Sequence, residues 1–253
     1  FGALEARGKL PVSVGDDFPV GTGFFTKSLD RLSYGLPESV GINSLKLKKI
    51  DSLIDVGLSS KMTPGMQVMV ARKGKVIYQR NAGYHTYQKR IPVTDTSIYD
   101  LASLTKILAT LPLIMQLEEK NILDFNSRLG DIMPYFNGSN KENILLKDML
   151  LHYARLKSWL PFYVPTIDRA TKRPSVKYYR EKSVDNFSIP VAENMYIRDD
   201  VRDSIMAIIK DSDLEKSLGY KYSDLPFYIM KYYLEDYHNS SLDYLTQEKL
   251  YKT

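Results

Sequence analysis

The chain of 253 residues contains no cysteine, so disulfides, thiolate metal sites and a cysteine nucleophile are all excluded. No run of residues approaches the roughly 20 apolar positions that a membrane span needs, and the first residues carry no signal-peptide pattern. The three histidines, His85, His152 and His238, lie far apart in the sequence, without the spacing of a metal site. The sequence therefore predicts no metal, no other cofactor and no transmembrane segment.

The chain also lacks a strong excess of one charge. Its 35 Lys and Arg residues are interleaved with 30 Asp and Glu residues, and the net charge is +5. A nucleic-acid partner is therefore not expected, and an RNA-binding surface is the least favoured hypothesis for this chain. Residues 172–182, KRPSVKYYREK, concentrate positive charge among aromatic residues. Such a run is usually a solvated loop, and a basic lip around an acidic substrate is the less favoured interpretation.

Hydrophobic periodicity is present, and it predicts a mixture of helices and strands. With 43% hydrophobic and 26% charged residues, the chain has the composition of a globular protein. Asn43 or Ser44 is the expected N-cap of a helix. Two alternating, β-branched runs then flank Lys73-Gly74, which predicts a β-hairpin. Five apolar residues fall on one face of the expected helix: Leu47, Ile50, Leu53, Ile54 and Leu58.

The rest of the chain is predicted to be largely helical, with one long insertion. Pro112 lies inside an amphipathic pattern that begins near Ser103, and because it lacks an amide hydrogen we expect a kink or a short break there. Another amphipathic segment surrounds residues 145–156. Residues 161–217 carry four prolines and little periodicity, which is typical of an insertion. Three helices are expected within and after it: over 199–212, from about Leu225 to Tyr237, and from Leu242 to Tyr251.

Ser103 and Lys106 have a spacing that suggests covalent chemistry, and no other serine has a lysine three positions later. Residues three apart on a helix lie on the same face. A serine hydroxyl is a poor nucleophile unless a base takes its proton, and a lysine amine can do so only if its pKa is lowered. The apolar neighbours are expected to lower it by burial. The alternative is a simple helix N-cap beside a surface lysine.

Residues 96–136, from TSIYDLASLTK to DIMPYF, resemble the segment around the S-x-x-K motif of the serine β-lactamase and penicillin-binding-protein superfamily. The class C and D-alanyl-D-alanine carboxypeptidase-like branch is the most similar. Residues 145–156 resemble its L-x-D-L-L-T-H-T-S-G-L segment. The resemblance implies an α+β, β-lactamase/transpeptidase-like fold with a helical subdomain and an antiparallel sheet. It also implies that Ser103 is the nucleophile and Lys106 its base.

A second motif of that family, Y-x-N, matches Tyr222-Ser223-Asp224 in position. The resemblance implies that Tyr222 shares the serine proton with Lys106 and later protonates the leaving group. A tyrosine that merely packs in a turn is the alternative. Asp224 departs from the family's Asn, because an amide can donate to a substrate whereas an ionised carboxylate only accepts. Asp224 is therefore expected either to contact the substrate differently or to anchor Lys106.

A third motif, K-T-G or H-x-G on a strand, is not found before Thr253. The sequence is therefore expected to be truncated, with the family's C-terminal strands missing and with weak or no activity. At the other end, residues 2–15, GALEARGKLPVSVG, resemble the closing strand region of family 3 glycoside hydrolases, which include β-N-acetylglucosaminidases. The expected organisation is a glycosidase tail over residues 1–26, a linker over 27–42, and the N-terminal part of a hydrolase domain over 43–253.

Together with the resemblance, these features predict a serine acyl hydrolase that acts on a cell-wall-derived peptide amide or small ester. In the parent protein it would be joined to a glycosidase in the periplasm or cell envelope. Trp159, with Phe162 and Tyr163 beside it, is a candidate for stacking on the substrate, although core packing is the favoured alternative for this group. The competing hypothesis is a non-catalytic binding or scaffolding appendage, because Asp224 and the residues after His152 depart from the family pattern.

Overall fold

The computed structural model describes residues 8–13, 15–23 and 32–252. The chain divides into two compact units, Phe1–Asp100 and Leu101–Thr253. Of the predicted glycosidase tail, residues 1–7, 14 and 24–26 lie outside the described residues, as do residues 27–31 of the predicted linker. No helix in the described part of the chain is long and apolar enough to cross a membrane.

The first unit contains a helix and a three-stranded sheet: β1 (Ser33–Tyr34), α1 (Ser44–Ser59), β2 (Gly65–Arg72) and β3 (Lys75–Gly83). The central strand β3 pairs antiparallel with β2 and parallel with β1. The predicted N-cap is confirmed, because the Asn43 side chain accepts hydrogen bonds from the N–H groups of Leu45 and Lys46. The predicted hairpin is confirmed too. Lys73 and Gly74 have φ of 50° and 73°, as a two-residue hairpin turn requires.

The inward face of α1 is narrower than the periodicity predicted. Ile54 and Gly57 are buried, and a Cβ added to Gly57 would lie 3.2 Å from the Met66 methyl group, so the glycine lets that side chain approach the helix. Leu53 was assigned to the same face, and this was wrong, because its side chain is 70% exposed. It lies at the edge of the stripe formed by Ile54 and Gly57, where a leucine can face solvent.

The second unit is mainly helical. Two of its predicted helices, near 199–212 and near 225–237, are confirmed, and the predicted closing helix ends in a π-helical turn, Gln247–Tyr251. Ile114, Met149 and Ile229 are completely buried in its core. The α-helices are α2 (Leu111–Glu119), α3 (Leu129–Ile132), α4 (Leu146–Leu150), α5 (Val201–Asp211), α6 (Leu225–His238) and α7 (Leu242–Thr246).

The predicted insertion, residues 161–217, contains a small sheet that the periodicity did not indicate. Its strands are β4 (Tyr179–Arg180), β5 (Ile189–Ala192) and β6 (Met195–Ile197), and β6 pairs antiparallel with both of the others. Strands of two to four residues are too short for an alternating pattern to be recognised. With an antiparallel hairpin and a helical second unit, the α+β class predicted from the sequence is confirmed.

Pro112 disturbs its helix as predicted. The backbone forms a π-helical turn, Lys106–Thr110, directly before α2. Proline has no N–H to donate to the Leu108 carbonyl four residues earlier. The Tyr251 hydroxyl donates to that carbonyl instead, at 2.8 Å. A side chain near the end of the described chain thus completes the hydrogen bonding of the segment that carries Lys106.

Candidate active site

Ser103 lies in a tight turn just before this π-helical turn. The N–H groups of Leu104, Thr105 and Lys106 each donate to the carbonyl three residues earlier, at 2.9, 3.0 and 3.1 Å. The preceding residue, Ala102, has a φ of 43°, which is uncommon for a residue other than glycine. Such conformations persist only where the surrounding structure enforces them, and they cluster at functional sites. The turn places the Ser103 hydroxyl at the N-terminal end of the helical segment.

Both predicted partners of Ser103 reach its hydroxyl oxygen. Lys106 Nζ donates to Ser103 Oγ at 3.1 Å. The Tyr222 hydroxyl, 119 residues away in the sequence, donates to the same oxygen at 2.8 Å. Tyr222 lies in the segment that leads into α6, so the packing of the second unit determines its position. The three candidate catalytic residues form one hydrogen-bonded cluster.

Asp224 contacts the amine of this cluster. Its Oδ1 lies 2.7 Å from Lys106 Nζ, so anchoring of Lys106 is the one of its two expected roles that the geometry favours. Lys106 Nζ also lies 5.5 Å from the ring centroid of Tyr222 and 5.7 Å from that of Phe227. Carboxylates and aromatic faces both favour a positive charge. These groups surround an amine whose side chain is only 17% exposed.

The protonation of Lys106 differs from the prediction. Burial lowers the pKa of Lys106, but its hydrogen bonds and charge interactions with Asp224 and Tyr222 outweigh burial, and the net direction is upward. The prediction that apolar neighbours would hold the amine uncharged was wrong for this arrangement. Leu104 and Ile107 are themselves half-exposed and shield the amine only in part. A proton must leave Lys106 before it can accept one from Ser103.

Two cavities adjoin the Ser103 hydroxyl. The first, of about 590 Å³, has largely apolar walls, which include Leu101, Leu104, Ile107, Leu111, Phe125 and Leu150. The second, of about 520 Å³, lies on the side of Asp224 and Tyr228. Because Ser103 and Lys106 line both cavities, a carbonyl held at Ser103 has room for a substituent on either side.

His152 borders the same cluster. The sequence predicted only structural hydrogen bonds for it, and one is confirmed, because its Nδ1 accepts from the Ser223 N–H at 3.2 Å. Its ring centroid lies 4.6 Å from that of Tyr222, a contact that sequence reasoning missed. The resemblance of residues 145–156 to the family segment with histidine was the available signal. Phe227, which faces Lys106, had no signal beyond the apolar pattern of its helix.

The role of Trp159 stays a prediction. Its side chain is 57% exposed and is not among the described residues that line the two cavities beside Ser103. It follows Ser158, whose carbonyl accepts the Asp224 N–H at 2.8 Å, so it lies near the site in the chain. Phe162 behaves as the favoured alternative predicted, since it packs edge-to-face on Tyr228, with the ring centroids 5.3 Å apart, and contacts the core.

Comparison with known proteins places these residues in a wider group. A family model described as Beta-lactamase matches residues 50–252. A "Beta-lactamase" of Providencia stuartii is 29% identical over 150 residues, which cover 58% of this chain and 37% of the relative. The "N-acetylmuramyl-L-alanine amidase" of Bacillus subtilis (strain 168) is 24% identical over 230 residues, which cover 85% of this chain and 46% of the relative. The chain thus spans less than half the length of either relative.

Solved structures share the fold. The class C beta lactamase from Rhodobacter sphaeroides superposes with a TM-score of 0.57 at 16% identity, covering 81% of this chain and 48% of the other. At that identity the likeness concerns the fold alone. It confirms the predicted β-lactamase/transpeptidase-like α+β architecture.

Proposed function

The chain belongs to the beta-lactamase family, and from that premise we propose that it is a serine acyl hydrolase that works through an acyl-enzyme. One observation carries the proposal: Lys106 and Tyr222 converge on the Ser103 hydroxyl, at 3.1 and 2.8 Å. A nucleophile within hydrogen-bond reach of the groups that would take up and relay its proton is the arrangement that covalent catalysis by serine requires. A structural serine at the end of a helix needs neither contact.

The proposed reaction has two steps. Ser103 Oγ attacks the substrate carbonyl and its proton passes to neutral Lys106, then through Tyr222 to the leaving amine or alcohol, as the bond between carbonyl and leaving group breaks. Water then attacks the acyl-enzyme ester, the bond between the carbonyl carbon and Ser103 Oγ breaks, and a proton from the water returns to Ser103 Oγ. The products are a carboxylic acid and free enzyme. These proton transfers need atoms within hydrogen-bond distance, and Lys106 and Tyr222 lie within that distance of the Ser103 hydroxyl.

The proposed substrate is a peptide amide or small ester derived from the cell wall. The apolar walls of the first cavity suit the side chain of a short peptide or an acyl group. The name of the Bacillus subtilis relative, an N-acetylmuramyl-L-alanine amidase, supports an amide of the wall peptide as the bond that is cleaved. A periplasmic or other cell-envelope location follows from that substrate.

The proposal includes a glycosidase partner in the same polypeptide. It rests on the resemblance of residues 2–15 to the closing region of a family 3 glycoside hydrolase. Mass spectrometry of the native protein tests it. A single polypeptide mass is expected, and its digestion should yield peptides of residues 43–253 and of a β-N-acetylglucosaminidase-like module. Two separate masses would contradict the fusion.

Covalent labelling tests the hydrolase function, on the protein in the form that its gene encodes. A fluorophosphonate or penicillin probe is expected to add its mass to the peptide that contains Ser103. Ser103→Ala is expected to abolish this label, whereas Ser183→Ala, which removes an exposed hydroxyl of the same unit, should leave it unchanged. Labelling that persists in Ser103→Ala would reject Ser103 as the nucleophile.

The competing function is a non-catalytic binding or scaffolding appendage. It predicts that folded wild-type protein takes up neither probe under any condition. If the protein does take up label, its hydrolysis of muropeptides is compared with its hydrolysis of p-nitrophenyl esters. The faster reaction shows whether an amide or an ester is the preferred bond.

A further inference from the structure

We propose that His152 is a positioning residue for Tyr222, and that its neutral imidazole is required to align the Tyr222 hydroxyl with Ser103. The catalytic consequence depends on the function proposed above. The positioning depends only on contacts within the second unit, so the two can fail separately.

The backbone at His152 is unusual for a histidine. The Tyr153 N–H donates to the Asp148 carbonyl at 2.8 Å and the His152 N–H donates to the Met149 carbonyl at 3.1 Å, the pattern that closes a helix after α4. The residue at this position commonly is glycine, because its φ is positive. His152 has a φ of 64°. A side chain that costs backbone strain at this position suggests that its imidazole has a use.

His152 contacts the backbone on both sides of Tyr222. Its carbonyl accepts the Lys221 N–H at 2.9 Å, and its Nδ1 accepts the Ser223 N–H at 3.2 Å. Between these two bonds, the imidazole packs on the Tyr222 ring, with centroids 4.6 Å apart and planes at 43°. One residue thus fixes the backbone before and after Tyr222 and also the face of its ring.

The Ser223 bond makes this contact sensitive to protonation. A nitrogen that accepts a hydrogen bond carries no proton, so the neutral ring has its proton on Nε2. Protonation would turn Nδ1 into a donor opposed to the Ser223 N–H and would place a second cation near Lys106. Burial and the Lys106 charge lower the pKa of His152 below its ordinary 6.5, and Asp224 opposes them.

The other groups around the imidazole are aromatic. The rings of Tyr220 and Phe227 face it, with centroids 5.9 and 6.0 Å away, in addition to Tyr222. Lys106 and Asp224 are the charged groups that act on it. Because the carboxylate already pairs with Lys106 at 2.7 Å, its effect on a protonated imidazole is reduced. The neutral form is therefore favoured at neutral pH, and acidification is expected to release the Ser223 bond.

Two variants separate positioning from charge. His152→Asn can retain an acceptor near the position of Nδ1, does not titrate, and tolerates positive φ better than most residues. His152→Ala removes the acceptor and the ring. His238→Gln is the matched control, because His238 is also a histidine whose pKa is lowered by burial but it lies at the end of α6, next to Lys249.

The experiment combines NMR with labelling of Ser103 by a fluorophosphonate, as a function of pH. In wild-type protein, the Ser223 amide and the Tyr222 ring resonances are expected to shift with the titration of His152. The ratio of the wild-type labelling rate to the His152→Asn labelling rate should be constant at neutral pH. Below the midpoint of the His152 titration, this ratio should fall about tenfold per pH unit. His238→Gln should follow wild type. His152→Ala should label on the order of 100-fold more slowly at neutral pH.

Two results would overturn the inference in a protein that takes up label. One is a rate ratio that stays constant through the midpoint of the His152 titration. The other is a His152→Ala protein that is folded and labels as fast as wild type. A wild-type protein that takes up no label would instead reject the proposed function. In that case NMR decides the positioning: Tyr222 resonances that do not respond to His152 titration would reject it, and resonances that move in wild type but not in His152→Asn would support it.

Discussion

Lys106 Nζ lies 2.7 Å from Asp224 Oδ1 and 3.1 Å from Ser103 Oγ, so the amine is closer to a carboxylate than to the hydroxyl it is proposed to activate. A neighbouring negative charge stabilises the ammonium form. The pKa of Lys106 is raised as a result, despite burial. Asp224 therefore opposes the chemistry that Lys106 is proposed to perform, while it holds the amine in place.

Asp224→Asn is expected to move the pH dependence of Ser103 labelling. A lysine base works only when it is neutral, so the rate rises as the pH approaches the pKa of Lys106. Removal of the carboxylate charge lowers that pKa, and the rise should occur at lower pH, with several-fold faster labelling at pH 7. Rates of Ser103 labelling by a fluorophosphonate, measured from pH 6 to pH 10, give the shift in the pH dependence.

Asp236→Asn is the matched control for that charge change. Asp236 lies on α6 and pairs with Arg202 at 2.7 Å, so the variant removes one negative charge without touching Lys106. Its profile should coincide with wild type. If Asp224→Asn labels more slowly at every pH, the main role of Asp224 is to orient the amine rather than to set its charge.

Tyr222→Phe is expected to slow acylation of Ser103 by roughly 100-fold to 10,000-fold, the usual effect of losing a group that transfers protons. The variant loses the 2.8 Å bond to Ser103 Oγ and keeps the ring against His152. Labelling kinetics measure the rate, and thermal unfolding should be nearly unchanged. Tyr237→Phe is the control, because Tyr237 is a half-exposed tyrosine that stacks on Tyr233. Equal rates for Tyr222→Phe and wild type would remove Tyr222 from the mechanism.

The sequence predicted the identity of the cluster better than its charge. Ser103 and Lys106 are three residues apart, so local helical geometry suffices to bring them together. Tyr222 could be recognised only through a family motif, because a distant contact leaves no trace in periodicity. The direction of the Lys106 pKa shift was not predictable, since burial and a carboxylate act in opposite directions and only distances decide between them.

A similar limit applies to the fold. Elements with a strong local signal, such as the Asn43 cap and the Lys73-Gly74 turn, occur where predicted. The short strands β4 to β6 have too few residues to carry a period, and they depend on pairing with one another. Pro112 predicted a disturbed helix, but nothing in the sequence identified Tyr251 as the donor that compensates for it.

The Tyr251 contact predicts a coupling between two distant residues. Tyr251→Phe removes the donor from the Leu108 carbonyl, which should lower the free energy of unfolding by about 1 kcal/mol. In a Pro112→Ala background the new N–H at position 112 can bond that carbonyl, so the same change should cost less. Urea unfolding of the four proteins in a double-mutant cycle measures the difference. Strictly additive effects would show that the hydroxyl does not replace the missing amide.

Lys141 offers a test of how the insertion is attached to the core. Its side chain is completely buried, and Nζ donates to the carbonyls of Lys210 and Ser212, at 3.0 and 2.5 Å, where α5 ends. These carbonyls have no partner within the helix. Lys141→Met leaves them without this donor and should reduce the free energy of unfolding by about 1–3 kcal/mol at pH 7. Lys182→Met, at an exposed lysine of the same unit, should change it little.

The pH dependence of that loss can be predicted from the buried amine. Burial lowers the pKa of Lys141 to about 8, whereas an unfolded chain keeps a lysine pKa near 10.5. Between those values the unfolded state binds the additional proton, so wild-type stability gains as the pH rises through this range, relative to a protein without the amine. The stability difference between wild type and Lys141→Met should therefore widen from pH 8 to pH 10 in urea titrations, while that of Lys182→Met stays constant. A Lys141→Met difference that does not change with pH would mean that the folded protein leaves the pKa of this amine at its ordinary value, and that the carbonyls at the end of α5 compensate fully for burial.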